Sequence, residues 1–254
     1  LTALVDGPAR IMTPYGTGVM FATSPELNRQ VLTQHDRFHA YALSGRFFPE
    51  GDERPRRRPL RRMLTGLFHV NGDEHRRHRR LIMPAFHRAR LEAYRDDMVA
   101  LVGELLDTWR PGQTHDLSAE MTRVTLRIAT KTLFGADVGE SGMQITRWMQ
   151  DWLVSLFSVA MLLPWDLPLL PYRRWLDRSH QIDVAMAELV RSKRAQGSEG
   201  ADILSMLLAA RDEDGSQLTD DEIIGHAGVI FAAGHETSAN SLTWTLLLLS
   251  QHPA

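Results

Sequence analysis

The chain has 254 residues, of which 43% are hydrophobic and 24% charged, and its formal net charge is −2. This composition is typical of an ordinary soluble globular protein, with enough length for one large domain or two small ones. The sequence contains no cysteine, which excludes disulfides and any thiolate ligand or nucleophile within these residues. Residues 1–20 show no secretory signal, so a soluble, cytoplasmic location is the default expectation.

The N-terminal part of the sequence predicts two short strands followed by a helix. The strand patterns cover residues 9–13 and 18–22, and turn-forming residues separate them. A Ser-Pro pair is typical of a helix start and predicts a helix over residues 24–34. Residues 40–72 are rich in Arg, Pro and Gly, and they predict a long loop with room for one short helix.

The rest of the sequence is predicted to be almost entirely helical. Breaks that contain Gly or Pro separate segments with the apolar spacing of amphipathic helices. No internal repeat or linker-like tract divides the chain, so we expect one mainly α domain with a small β-sheet near its N-terminus. The predicted helices cover residues 73–83, 88–109, 117–134, 142–163, 172–196, 201–211 and 220–251.

The last predicted helix carries the most informative motif. Thr219 and Glu222 have the spacing of a capping box, and Pro253 follows the helix. Residues 233–237 inside this helix read Ala-Gly-His-Glu-Thr. A mid-helix glycine costs up to about 1 kcal/mol relative to alanine, and a mid-helix threonine competes for backbone hydrogen bonds. We therefore expect a ligand to approach the backbone at Gly234 and to use the polar groups beside it.

Two apolar stretches of the sequence do not predict membrane spans. Polar residues interrupt the helix over 220–251, whose dense apolar run is confined to Leu246–Leu249. The segment from Trp152 to Pro171 is strongly apolar, but it is short and broken by proline. This segment either belongs to the core or forms a helix and loop that roof an apolar ligand pocket.

Arginines are concentrated between Arg54 and Arg95, where Asp73, Glu74 and Glu92 are the only acids. Such a stretch is either a solvated surface or a face that meets nucleic acid, anionic lipid or an acidic protein. Aromatic residues are sparse here and no nucleic-acid-binding motif is present, so we expect no nucleic-acid partner.

A second dense motif reads N-G-D-E-H-R-R-H-R-R-L-I-M-P-A-F. His75 and Arg79 lie four residues apart and share a helix face, where they either hold a ligand carboxylate or belong to a basic surface helix. No metal site is expected, because His75-x-x-His78 has no matching acidic or thiolate ligands nearby. The zinc-protease pattern that starts at His235 also fails, since Ala239 replaces its second histidine.

Together these segments resemble the cytochrome P-450 haem-thiolate monooxygenases. The oxygen-binding helix of that family carries Ala/Gly-Gly-x-Asp/Glu-Thr, which matches residues 233–237. The family's Trp/His-x-x-x-Arg motif for the haem propionates matches His75 and Arg79, and the usual Pro-Ala-Phe follows. The N-terminal strands and first helix also look similar. The likeness covers essentially all of the chain and implies a cytochrome P-450-like fold.

The resemblance is incomplete at the C-terminal end. Members of this family bind the haem iron through a Cys in a Phe-x-x-Gly-x-x-x-Cys loop, preceded by a Glu-x-x-Arg helix pair. Neither motif follows Thr237 in these residues. We therefore expect residues 1–254 to be a single incomplete domain, a fragment that is inactive alone, with the axial Cys beyond residue 254.

The resemblance implies a monooxygenase that uses haem b, O2 and electrons from a ferredoxin or flavoprotein reductase to hydroxylate a hydrophobic small molecule. The protein then positions and tunes the cofactor. In such an enzyme Thr237 would donate a hydrogen bond to oxygen, and Glu236 would be a link in the proton relay. The residues expected to contact the haem are His75, Arg79, Ala233 and Gly234.

The resemblance also implies a docking face for the electron donor, on the basic run around Arg76, Arg77 and Arg80. Two other hypotheses stay open at this point. The chain is alternatively a non-catalytic helical binding protein of this family, or an inactive truncated product. A downstream Cys loop would exclude both.

Overall fold

The computed structural model of the chain describes residues 9–12, 18–34, 36–39, 54–63, 66–135, 139–156, 165–197 and 200–252. The chain forms two compact units, residues 1–41 and 42–254. The described part of the larger unit is mainly helical, as the sequence predicts. None of the helices in these ranges combines the length and the apolar character needed to cross a lipid bilayer.

The smaller unit contains two strands and one helix in its described part. Strands β1 (Ala9–Met12) and β2 (Gly18–Phe21) pair antiparallel along their whole length. Helix α1 (Pro25–Thr33) follows them. The Ser24 hydroxyl oxygen accepts a hydrogen bond from the Leu27 N–H at 3.2 Å, which confirms the predicted helix start.

The larger unit contains the other helices. A 3₁₀ turn over Pro55–Arg57 leads directly into α2, a short helix inside the segment predicted as a long loop. The helices are α2 (Arg58–Met63), α3 (Gly72–Ile82), α4 (Arg88–Leu106), α5 (Leu117–Phe134), α6 (Gly139–Leu156), α7 (Pro171–Ala195), α8 (Ile203–Ala209) and α9 (Asp220–Gln251).

Side-chain caps fix where several of these helices begin, among them α8 and α9. The Thr219 hydroxyl oxygen accepts from the Glu222 N–H at 3.2 Å, and a Glu222 carboxylate oxygen accepts from the Thr219 N–H at 2.6 Å. The predicted capping box of α9 is therefore confirmed. Helix α8 begins two residues later than predicted, because the Asp202 carboxylate caps it by accepting from the Ser205 N–H at 2.9 Å.

The first part of α9 forms the centre of the core. Helix α9 as a whole packs against α2, α5, α6, α7 and α8, and its most extensive contact is with α5. Ile223, Ala227 and Phe231 are buried in this region. From position 240 onward the described side chains of α9 are half-buried or exposed. The motif at residues 233–237 thus lies where α9 leaves the core.

The apolar segment from Trp152 to Pro171 has two different environments. Trp152 is buried, stacks on Trp175 with ring centroids 5.0 Å apart, and donates its indole N–H to the Ser179 hydroxyl at 2.7 Å. Residues 157–164, which include the end of the helix predicted over 142–163, lie outside the described residues. Trp165, Leu167 and Leu169 are exposed.

Candidate functional site

A cavity of about 680 Å³ lies between α9 and helices α3, α4 and α5. Its wall is mainly Leu, Ile, Met, Phe and Val side chains. A concave, mainly apolar space with a few polar groups is the usual form of a small-molecule site. The polar side chains on the wall belong to Arg79, Tyr94, Thr125, Thr132, His226 and Ser238.

Helix α9 presents an open backbone to this cavity. Ala233 and Gly234 both line it. A Cβ atom built on Gly234 meets no heavy atom of the described residues within 4 Å. Packing within this part of the chain therefore does not require glycine here, and the space beside the backbone is available to a ligand.

The hydroxyl groups that follow Gly234 on α9 bond to the helix backbone. The Thr237 hydroxyl donates to the Ala233 carbonyl at 2.5 Å, one turn earlier, and the Ser238 hydroxyl donates to the Gly234 carbonyl at 2.8 Å. Thr237 and Glu236 are exposed, and neither is among the residues that line the cavity. Their catalytic roles stay predictions.

Helix α3 brings Arg79 to the cavity wall. Within the described ranges, no side chain or carbonyl pairs with the Arg79 guanidinium. An arginine without a carboxylate partner, at the edge of an apolar cavity, suits an anionic group on a ligand. His75, one turn earlier on α3, is half-buried and does not line the cavity. The structure therefore brings Arg79 to the cavity and leaves His75 beside it.

The neighbouring arginines of α3 are paired within the chain. Arg77 donates to a Glu222 carboxylate oxygen at 3.1 Å. Arg80 donates two hydrogen bonds to Asp212, at 2.9 and 3.0 Å, and they hold the pKa of the Asp212 carboxyl below its ordinary value. Arg76 pairs with an acid of its own helix. Two arginines of the predicted docking face thus tie α3 to the start of α9 and the loop before it.

Sequence reasoning missed His226. This side chain is fully buried on the cavity wall, and neither of its ring nitrogens has a hydrogen-bond partner in the described part of the chain. Burial, and to a lesser extent the nearby His78, lower the pKa of His226 to about 4, so the ring is neutral. The signal was available in the sequence, because His226 precedes Ala233 by seven residues and therefore shares its helix face.

The histidine inside the 233–237 motif points elsewhere. His235 is buried, stacks on Phe231 with ring centroids 4.8 Å apart, and is not among the cavity-lining residues. Burial lowers the pKa of this imidazole as well. His235 therefore packs α9 into the core, while Ala233 and Gly234 face the cavity.

Comparison with known proteins identifies the family. The model of the cytochrome P450 family matches residues 12–254. The chain belongs to the cytochrome P450 family. It is 35% identical to pentalenene oxygenase of Streptomyces avermitilis over 235 residues, which are 90% of this chain and 49% of that protein. It is 31% identical to cyclooctat-9-en-7-ol 5-monooxygenase of Streptomyces melanosporofaciens over 241 residues, 91% of this chain and 49% of that protein.

This P450 chain thus spans about half the length of the curated relatives it matches. Solved P450 structures also match nearly all of this chain with about half of their own length. A cyanobacterial CYP120A1 with bound retinoic acid superposes with a TM-score of 0.72 at 26% identity, over 94% of this chain and 51% of that one. The haem domain of cytochrome P450DA also gives a TM-score of 0.72, at 25% identity, over 98% of this chain and 54% of that one.

Proposed function

We propose that this chain is the oxygen-binding part of a haem-thiolate monooxygenase that hydroxylates a hydrophobic organic molecule. One observation carries the proposal: the open backbone at Gly234 and the Arg79 guanidinium, which has no partner among the described residues, border the same apolar cavity. We also propose that the β1–β2 pair belongs to the small N-terminal sheet of a P450 fold, and that the enzyme is soluble and cytoplasmic.

The residues present fit one side of a haem. The apolar wall suits the macrocycle, and the unpaired guanidinium of Arg79 suits a propionate. His75 is our proposed second propionate contact, since it lies one turn from Arg79 on the same helix. The 254 residues contain no cysteine. The proposed enzyme therefore takes its iron thiolate from residues outside this sequence.

The proposed roles of α9 follow from its chemistry. A bound haem supplies oxygen activation and accepts electrons. Ala233 would pack against it, and Gly234 would leave room for oxygen and substrate. Thr237 can exchange its bond to the Ala233 carbonyl for a hydrogen bond to a group in the cavity. Glu236, which is exposed, can carry protons from solvent toward that hydroxyl.

We infer a hydrophobic substrate from the apolar cavity wall, and an acidic ferredoxin or flavoprotein reductase as the electron donor. Its proposed docking face includes Arg76, Arg77 and Arg80, of which Arg76 and Arg80 keep more than half of their side-chain surface exposed, 68% and 53%. Docking at such a face predicts a reduction rate that falls as salt is added.

The DNA that follows codon 254 provides the first test of the proposed function. An open reading frame that encodes Glu-x-x-Arg and then Phe-x-x-Gly-x-x-x-Cys would support a monooxygenase. A stop codon at that point would favour a non-catalytic binding protein or an inactive product. Where the frame continues, the joined polypeptide should bind haem with the absorption spectrum of a thiolate-ligated iron.

In that longer enzyme, Thr237→Ala is expected to lower the fraction of electrons recovered in product by about tenfold or more, because a positioned proton donor is lost. Thr243→Ala is the matched control, since the Thr243 hydroxyl makes the same back-bond, to the Ala239 carbonyl at 2.8 Å, on the same helix but outside the 233–237 motif. The measurement compares product formed with electron donor consumed. Equal coupling in the two variants would count against the relay role.

Arg79→Ala is expected to weaken haem retention by about tenfold or more, since a charge-assisted contact contributes about 1.5–3 kcal/mol. Arg76→Ala, which removes an exposed neighbour from the same helix, should leave haem content unchanged. The measurement is the amount of haem bound per polypeptide after purification, compared between the two variants. Full haem content in Arg79→Ala would refute the anchoring role.

A further inference from the structure

Two helices of the larger unit each carry a glutamate and a histidine four residues apart. Glu74 and His78 lie on α3, and Glu222 and His226 lie on α9. Side chains at this spacing share one helix face. Ligand atoms of Glu74, His78 and Glu222 all lie within 4.8 Å of one another. The rings of His78 and His226 meet edge-on with centroids 4.9 Å apart, so the two pairs face each other.

This donor set has the chemistry of a transition-metal site. Carboxylate oxygens and neutral imidazole nitrogens bind Zn²⁺ at about 2.0–2.2 Å, in a tetrahedron. Ligand atoms around such an ion are about 3.3–3.6 Å apart, as those bond lengths require. The ligand atoms of Glu74, His78 and Glu222 are at most 4.8 Å apart, so small side-chain movements would bring them to this distance. Glu74 is exposed and can turn toward the site without disturbing the core.

Unsatisfied nitrogens in this cluster and directly beside it independently point to a ligand. His226 has no exposed surface, and both of its ring nitrogens are without partners in the described part of the protein. The Nδ1 atom of His78 is also buried and unpartnered there. Glu74 has no ion-pair or hydrogen-bond partner among the same residues. Buried polar atoms without partners are rare and costly, and coordination of a cation relieves this cost.

The existing contacts of Glu222 leave room for a cation. One of its oxygens accepts from His78 Nε2 at 2.8 Å and from Arg77 at 3.1 Å, and the other accepts from Thr219. A metal ion bound to the first oxygen would replace its hydrogen bonds to His78 and Arg77. Arg77 would keep its hydrogen bond to the Gln217 carbonyl at 2.8 Å, and the capping box on the second oxygen would stay intact.

We propose that Glu74, His78 and Glu222 form a Zn²⁺ site that links α3 to α9, with His226 packed against His78 beside it. The two carboxylates outweigh the single charge of Arg77, so the local charge favours a divalent cation. From the sequence we expected no metal site, because His75 and His78 have no suitable ligands close to them in the chain. The fold, however, brings His78 next to Glu222 on α9, a helix that is distant in the sequence. This proposal does not depend on the proposed monooxygenase function.

Zinc titration of the 254-residue chain against a chromophoric chelator tests the site. The chain should bind one equivalent of Zn²⁺ and unfold at a higher temperature in its presence. Glu74→Gln and His78→Gln should each weaken the affinity by about tenfold or more. Glu74 is exposed, so its variant should fold even where the His78 variant does not.

His87→Gln and Asp73→Asn are matched controls, because each removes an exposed donor within nine residues of His78 in the sequence. Both should leave zinc affinity and stoichiometry unchanged. The proposal is overturned by unchanged affinity in Glu74→Gln. It is equally overturned if His87→Gln removes the bound equivalent, since zinc would then sit on surface histidines.

Discussion

Gly66→Ala should destabilise the larger unit by about 2–3 kcal/mol. A Cβ on Gly66 would lie 2.4 Å from the Gly225 carbonyl oxygen and 2.4 Å from a Val229 methyl group. The valine can rotate, but the carbonyl belongs to the backbone of α9 and cannot move without disturbing the helix. Gly66 therefore sets how closely the turn before α3 approaches α9.

Urea unfolding of the purified chain measures this effect. Gly103→Ala is the control, because a Cβ at Gly103 meets no described atom within 4 Å and the residue lies inside α4. That substitution should raise stability by about 0.5–1 kcal/mol through helix propensity. A Gly66→Ala protein as stable as the parent would show that α9 and this turn are not packed as described.

Gly234→Ala is expected to raise the stability of the protein while it weakens ligand binding. Removing a mid-helix glycine should stabilise α9 by up to about 1 kcal/mol, because the new methyl group meets no described atom. The same methyl group would project into the proposed path of oxygen and substrate. In the longer enzyme we expect the affinity for small gaseous ligands to fall by about tenfold, which corresponds to 1.4 kcal/mol.

Gly228→Ala is the matched control for this prediction. Gly228 lies on the same helix, the atoms nearest to its added Cβ are 3.7 and 3.9 Å away, and it does not line the cavity. Its stability gain should be similar, with ligand affinity unchanged. A loss of affinity common to both variants would mean that general stiffening of α9, and not filling of the cavity, is responsible.

The helices were predictable from the sequence because their signals are local. Apolar spacing and the caps at Ser24 and Thr219 indicated both the existence and the starts of helices. The start of α8 was less accessible. Asp202 caps that helix and also pairs with Lys193 at 2.8 Å, and nothing near Asp202 in the sequence indicates this contact.

In the candidate site, too, some features were predictable from local sequence signals and others were not. Ala233, Gly234 and Arg79 reach one cavity, and each belongs to a short motif that the sequence displays. The contact of His78 with Glu222 joins residues 144 positions apart. It depends on how α3 packs against α9, which periodicity and spacing do not encode.

Glu222 takes part both in the capping box of α9 and in the contact with α3, and this couples the local unfolding of the two helices. The carboxylate that closes the first turn of α9 also accepts from two side chains of α3, His78 and Arg77. Fraying of that turn therefore leaves the buried His78 ring without its partner, which adds a penalty to local opening. Amide protons of the α9 start and of α3 should accordingly exchange with solvent as one cooperative unit, although the chain separates them by more than half its length.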